Sequence, residues 1–323
     1  MKNQEILLLD ELASDAQDWL AARYRIDYQP QLAHDMLALR GRLYRTDALV
    51  LPSWVPVTGD LLDFAPRLLV LARIYDGGDN IDLHACRQRS VRVVQAVTTS
   101  ARATAEFQLN SLLTLYRSGD DFGSWPVVSG VPGMGREIND SVVGLLGLTQ
   151  PAQMLVLMLQ ALGARVVGYD PAIHRSDPIW ERLGVQHMPL GELLQMADAV
   201  SLQLPFATRY RGLLGERVLS ACKRGQLWAS VSRLAVFDER ALFNAVKQGR
   251  IGAIWIDSQA QSEPDIPEVF VGLAGMRITP RLAPRTHEAL LRGSWFLADR
   301  LHDMLQTRRN GSVPANREAL IEK

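Results

Sequence analysis

The sequence predicts an α/β chain folded as two doubly wound parallel-sheet domains. Three observations lead there. Residues 141–170, SVVGLLGLTQPAQMLVLMLQALGARVVGYD, read as strand, tight turn, helix, strand and terminal acid, which is a βαβ unit. The first hundred residues alternate short apolar runs with helical patterns, as a parallel sheet with crossover helices requires. At 323 residues the chain exceeds one ordinary core, so two domains are expected.

The βαβ unit opens with Val142, Val143, Leu145 and Leu146, an apolar run suited to a strand buried on both faces. The chain then turns through residues 147–152. A Met- and Leu-rich helix over 153–162 stops at Gly163, and Val166-Val167 leads to Tyr169-Asp170-Pro171. Such a unit can hold a dinucleotide, with the turn and helix N-terminus facing the diphosphate and the acid bonded to the adenosine ribose. Gly147 fills the first glycine position of that fingerprint, whereas Thr149 and Ala152 stand at the second and third. Ala is tolerated at the third. A β-branched Thr at the second either fills the space meant for phosphate or bonds the phosphate itself, and Pro151, suited to a first helical turn, has no N–H to offer. On these residues alone the unit is either a dinucleotide site or a buried βαβ unit without a ligand.

Composition narrows the class. Apolar residues make up 47% and charged residues 22%, as in a globular protein, and the formal net charge of zero gives no support to a nucleic-acid or anionic-membrane partner. Residues 141–164 carry no charge, yet Gly, Thr, Gln and Pro interrupt them and no second span follows, so a membrane span is disfavoured. Cys86 and Cys222 have neither metal-like nor redox-like spacing, and residues 1–5 have no apolar signal core. Two packing thiols, no metal and a cytoplasmic chain are therefore expected.

The first third reads element by element. Strands are predicted at 6–9, 47–51, 68–71 and 91–94, with helices at 15–24, 61–66 and 80–89. A long amphipathic helix over 101–116 carries the chain onward. Residues 119–135, with glycines, prolines, Phe122 and Trp125, are too broken for regular structure and read as a linker or an arm for a partner chain.

The stretch APRLLVLARIYDGGDNIDLHACRQRSVRVV, then TAEF on a helix, then the βαβ unit, resembles the D-isomer-specific 2-hydroxyacid dehydrogenase family. ADAVSLQLPFATRYRGLLG, SRLAVFDERALFNAVKQGRIGAIWID and ITPRLAPRTHEAL continue the likeness in order over most of the chain. The resemblance implies two Rossmann-like domains with an active site in the cleft between them and a homodimer. Residues 1–105 and 284–323 would form the substrate domain, and 106–283 the dinucleotide-binding domain.

The resemblance also assigns roles. Arg233 takes the place of the arginine that binds the substrate carboxylate and keto oxygen, for which a bidentate fork is suited. Without the family pattern, Arg233 reads as a surface arginine in an ion pair. The proton-transferring histidine is replaced by Arg281. A guanidinium keeps its proton, so Arg281 can stabilise negative charge but cannot cycle a proton. His287, six residues on, reads as a surface residue at a helix start. The glutamate that would orient the histidine matches Glu263 with one residue inserted, and beside an arginine it becomes an ion-pair partner. Asp257 matches the acid near the nicotinamide carboxamide. The substrate-carboxylate turn reads Tyr75-Asp76-Gly77-Gly78, where Asp76 repels an anion unless an arginine neutralises it or it faces solvent. Leu234 and Ala235 stand where the family favours glycine. Cofactor positions carried over are Thr104, Gly147, Thr149, Gln150, Pro151, Ala152, Asp170, Pro205 and Asp257.

Two functions follow. One is an NAD-dependent oxidoreductase passing a hydride between nicotinamide and a small 2-oxo or 2-hydroxy compound. Asp170 favours NAD over NADP there, with Arg175 near enough to leave NADP open. The other is an inactive relative serving as a dimeric dinucleotide-sensing or regulatory module, supported by the changes at Thr149, Pro151, Asp76, Leu234 and Arg281.

Overall fold

A computed structural model describes residues 4–75, 80–118, 134–205, 207–257, 266–309 and 321–322. The chain divides into two compact units, 1–100 with 285–323, and 101–284.

The first unit is built on a six-stranded parallel sheet of β1 (Glu5–Leu8), β2 (Arg25–Tyr28), β3 (Ala48–Val50), β4 (Val70–Arg73), β5 (Arg92–Gln95) and the two-residue β13 (Ile321–Glu322), in the order β13-β5-β4-β3-β1-β2. Successive residues of β1 go to opposite layers, as a strand covered on both faces demands. Ile6 and Leu8 pack with Leu20 of α1 (Ser14–Ala21) and with Leu297 and Leu301 of α11 (His287–Arg309). Leu7 and Leu9 pack with residues of α2 (Met36–Leu43), α3 (Gly59–Asp63) and α4 (Leu83–Gln88). Asp35, Thr58 and Asp82 start these three helices, each side chain accepting a backbone N–H of the first turn.

Strand β2 and helix α2 have no counterpart among the predicted elements. β2 is an edge strand whose residues Arg25, Ile26, Asp27 and Tyr28 are exposed or half-buried, so it lacks the apolar run that marks its neighbours. Its charges are paired across the edge, with Arg42 of α2 bridging Glu5 and Asp27.

The second unit contains α5 (Ala101–Ser118) and a seven-stranded parallel sheet. Its strands are β6 (Val142–Leu146), β7 (Arg165–Tyr169), β8 (Gln186–His187), β9 (Ala199–Leu202), β10 (Gln226–Ser230), β11 (Ile251–Asp257) and β12 (Met276–Thr279). The order is β12-β11-β10-β9-β6-β7-β8, with α6 (Gln150–Ala161), α7 (Pro178–Arg182), α8 (Leu190–Met196), α9 (Glu216–Leu219) and α10 (Glu239–Lys247) between them. Val143 and Leu145 pack with α5, α6 and Trp180, while Leu146, Trp228 and Ile254 face the layer of α8 and α10. Both layers are dry and apolar, so the sheet is doubly wound.

The chain runs outward from β6 to β8, then returns to β9 on the other side of β6. Strand order therefore reverses between β6 and β9, and ligands of open α/β sheets gather beyond the C-terminal ends of the strands at such a point. Among the described residues no helix is long and apolar enough to cross a membrane.

Candidate active site

Because all seven strands of the second unit are parallel, their C-terminal ends lie on one edge of the sheet. Along that edge the strand order brings, in sequence, Arg281 after β12, Asp257 ending β11, Arg233 after β10, Pro205 after β9, Gly147 after β6 and Asp170 after β7. Residues up to 134 positions apart in the chain, Gly147 and Arg281, thus share one rim.

At the reversal point Gly147 adopts φ +96°, and a Cβ there would stand 2.8 Å from the backbone carbon and oxygen of Gln203. Only glycine fits so close an approach without displacing backbone. Thr149 has φ −63° and ψ 168°, an extended conformation open to any residue, so the backbone there is unstrained by the side chain. Its hydroxyl donates to Gln203 Oε1 at 3.3 Å, and Gln203 Nε2 donates to Ser201 Oγ, which donates to Gln108 Oε1 on α5. Ala152 is fully buried where α6 meets the sheet. Gln150 opens α6, exposed, with Pro151 behind it.

The turn keeps donors for an anion. Gly147 N–H donates to Tyr169 O and Gln153 N–H to Thr149 O, while among the described residues the N–H groups of Thr149, Gln150 and Ala152 take no partner. Three backbone donors at the N-terminus of a twelve-residue helix suit the diphosphate of a dinucleotide. The residues present therefore fit that group.

Asp170 is built into the turn. Its Oδ2 accepts the Leu148 N–H at 2.7 Å and its Oδ1 the Ala172 N–H at 2.8 Å, and the residue is only 8% exposed. A carboxylate offers about four acceptor sites, so ribose hydroxyls compete with no existing bond, but the first use of this acid is to tie β7 to the glycine turn. Thr104 lies in the first turn of α5 and is buried, and Pro205 is exposed.

At the other end of the rim Asp257 is 2% exposed and accepts three hydrogen bonds. Thr279 Oγ1 donates to Oδ1 at 2.6 Å, Leu282 N–H to Oδ1 at 2.8 Å and Ala283 N–H to Oδ2 at 2.7 Å. Between these donors Arg281 has φ +53°, a left-handed backbone unusual for a long side chain. Arg233 and Arg281 are half-buried, and both have interaction partners. His287 is exposed at the start of α11.

The first unit brings its own strand ends together. Asp10 follows β1 and Tyr75 follows β4; burial pushes the Asp10 carboxyl above its ordinary value, more than Glu11 N–H and Arg285 pull it down. Burial, with Asp10 close by, also raises the Tyr75 phenol. Fully buried Arg73 donates to Asn80 Oδ1 at 2.7 Å and to Val55 O, and Asn80 Nδ2 donates to Ser53 O, so Arg73 and Asn80 are tied to the segment that follows β3. Asp76, Gly77, Gly78 and Glu263 lie outside the described residues.

Sequence reading passed over Arg73, Gln203 and Thr279. Arg73 and Thr279 stand inside the motifs that carry the family likeness, next to the residues that drew attention.

With this rim in place, the sequence profile described as D-isomer specific 2-hydroxyacid dehydrogenase, NAD binding domain, matches residues 113–283. The chain belongs to that family. The (S)-sulfolactate dehydrogenase of Chromohalobacter salexigens is 30% identical over 267 residues, covering 81% of this chain and 85% of the relative. A D-3-phosphoglycerate dehydrogenase of Mycobacterium tuberculosis is 31% identical over 300 residues, or 91% of this chain, yet only 55% of the relative. The chain thus spans about half the length of the phosphoglycerate dehydrogenases it matches. The fold is that of a 3-phosphoglycerate dehydrogenase of Entamoeba histolytica solved with NAD+, at TM-score 0.77, 19% identity and coverage of 97% and 99% of the two chains. A glyoxylate reductase of Paecilomyes thermophila gives TM-score 0.79 at 19% identity over 95% and 97%. Family membership settles the choice left open by the βαβ unit: the domain with the Gly147 turn is an NAD-binding domain.

Proposed function

We propose that this chain is an NAD-dependent oxidoreductase that moves a hydride between nicotinamide and a small 2-oxo or 2-hydroxy acid. The observation that carries the reading is the single rim on which the Gly147 turn, Arg233, Asp257 and Arg281 follow one another. Thr104, Thr149, Gln150, Pro151, Ala152, Asp170 and Pro205 line the cofactor side, and Asp170 favours NAD over NADP by repelling a 2′-phosphate. Bound NADH supplies the hydride.

Arg233 binds the carboxylate and keto oxygen through its planar fork, which orients the carbonyl and draws charge onto its oxygen. Asp76, Gly77 and Gly78 are the positions that the family likeness assigns to the substrate carboxylate. Arg281 stabilises negative charge on the reacting oxygen, and Glu263 is the acid that the family likeness assigns to it as a partner. A guanidinium has no free lone pair with which to take a proton back, so the proton comes from solvent.

The active form is a cytoplasmic homodimer. Helix α6 carries no charged residue, and Leu157 is 62% exposed on it, with Leu113 on the neighbouring α5 also exposed. An apolar face of this kind suits a second copy of the chain. Two free, buried cysteines are in keeping with a reducing compartment.

Calorimetric titration with NADH and NADPH, followed by NADH oxidation with glyoxylate, sulfopyruvate and 3-phosphohydroxypyruvate, tests the reading. NADH binding in the micromolar range and oxidation with at least one acid are expected. No binding of either cofactor at millimolar concentration would sink it.

A further inference from the structure

Three hydrogen bonds converge on Asp257 from the turn that carries Arg281, and their arrangement assigns that acid a task apart from the cofactor. Thr279 Oγ1 does two things at once: it donates to Asp257 Oδ1 at 2.6 Å and accepts Trp255 Nε1–H at 3.1 Å. Trp255 is itself wedged, with Phe107 of α5 edge-on at 5.5 Å between ring centroids and the Arg277 guanidinium 4.7 Å over its face. The Thr279 hydroxyl therefore has a fixed orientation. Beyond it the chain reverses, with Arg281 N–H donating to Thr279 O at 3.0 Å across Pro280. Leu282 and Ala283 then return their N–H groups to the two oxygens of Asp257.

Within this loop Arg281 is held at φ +53°. Residues other than Gly, Asn and Asp avoid that region because Cβ crowds the following carbonyl, so the conformation persists only where surrounding bonds impose it. The bonds that flank it on both sides, from Thr279, Leu282 and Ala283, end on Asp257. Three of roughly four acceptor sites on the carboxylate are used by the turn, and the group is 2% exposed, so most of its bonding capacity goes to holding the turn.

We infer that Asp257 and Thr279 are positioning residues that clamp the 279–283 turn and thereby fix the backbone from which Arg281 acts. This rests on the oxidoreductase reading for what Arg281 does, but not for the clamp itself. Arg281 replaces a proton carrier by a charge, and charge stabilisation depends on where the charge sits, so the turn must be rigid where a histidine could have been led by its own hydrogen-bond partner.

Full-length wild type, Thr279→Ser and Thr279→Val are compared by amide hydrogen exchange over the peptide spanning 279–284 and by steady-state kinetics with NADH and glyoxylate. Valine keeps the shape of threonine and removes only the hydroxyl, and Asp257→Asn serves as a second probe that removes one acceptor oxygen. In Thr279→Val, exchange at Leu282 and Ala283 is expected to quicken by about tenfold or more as the clamp opens. kcat/KM for the acid should fall by about 30-fold or more, while the Kd for NADH changes by less than about threefold. Thr279→Ser should restore both. Unchanged exchange in both Thr279→Val and Asp257→Asn would overturn the clamp, as would a loss of NADH affinity equal to the loss of turnover. Should wild type reduce no 2-oxo acid, the oxidoreductase reading fails, and the exchange comparison alone decides whether the clamp exists.

Discussion

Leu148 donates its backbone N–H to Asp170 Oδ2 at 2.7 Å, so the acid that follows β7 also closes the turn that follows β6. One carboxylate thus joins the ends of β6 and β7, and removing it affects the protein before any cofactor binds. Asp170→Ala leaves the buried Leu148 amide without its acceptor, at a cost of about 1–3 kcal/mol, while the Ala172 amide, in an exposed residue, can turn to water. Urea unfolding of the cofactor-free variant should give a midpoint well below wild type, and NADH affinity should fall too. Unchanged apo stability would mean that the acid serves the cofactor alone.

Gly147→Ala tests the close approach beneath the same turn. The added Cβ meets Gln203 backbone at 2.8 Å and is strained at φ +96°, so backbone must move. A loss of about 1–3 kcal/mol is expected, with weakened NADH binding because Gln203 also orients the Thr149 hydroxyl. Denaturant melts and calorimetry on the same preparation check both.

Two aspartates should push stability in opposite directions with pH. Burial raises the Asp10 carboxyl above its ordinary 3.8, so its contribution is fully present below that value and is lost as pH rises through the higher folded value. Asp10→Asn keeps an oxygen for the Glu11 N–H and should therefore melt higher than wild type at neutral pH, the gap closing in acid. For Asp198 burial also acts upward, but Lys223, the Val142 N–H and Arg136 outweigh it and hold the carboxyl below 3.8. Its contribution is present above 3.8 and lost as pH falls through the lower folded value, so Asp198→Asn should melt lower at neutral pH and converge with wild type in acid. Melting curves of both variants across pH 3–8, roughly the carboxylate and neutral ranges, read out the two signs.

Arg281→Gly separates strain from function. The left-handed backbone costs an L-residue about 1–2 kcal/mol, and glycine loses roughly 0.5–1 kcal/mol through chain entropy. The variant should therefore melt at or slightly above wild type while losing turnover. A large drop in melting temperature would make Arg281 a structural residue.

Much of the fold was written in local patterns. The strand runs around Ile6, Leu49, Val70 and Val143 are apolar on both faces because both are covered, and a double covering is what an unbroken apolar run encodes. Edge strand β2 escaped because Arg25 and Asp27 answer to solvent and to Arg42, leaving no run to read. At the site, spacing alone pointed to Gly147, whereas Arg233, Asp257 and Arg281 were reached only through the family resemblance. What each group touches was not legible. Neither the Thr279 bond to Asp257, across 22 residues, nor the Leu148 bond to Asp170, also across 22, has a sequence signal, because both depend on how neighbouring strands end. The Cys86 and Cys222 thiols, by contrast, were read as packing groups from their spacing and are buried, which pushes them up to about 11 and about 12.

The measurement that bears most directly on the central claim is enzyme-dependent oxidation of NADH by 2-oxo acids, with wild type and Arg233→Lys side by side. Lysine keeps the charge but loses the planar fork, so wild type should turn over at least one acid and the variant should retain NADH affinity while kcat/KM drops by about 100-fold. NADH bound by wild type without oxidation by any 2-oxo acid, or equal turnover in the two proteins, would contradict the account.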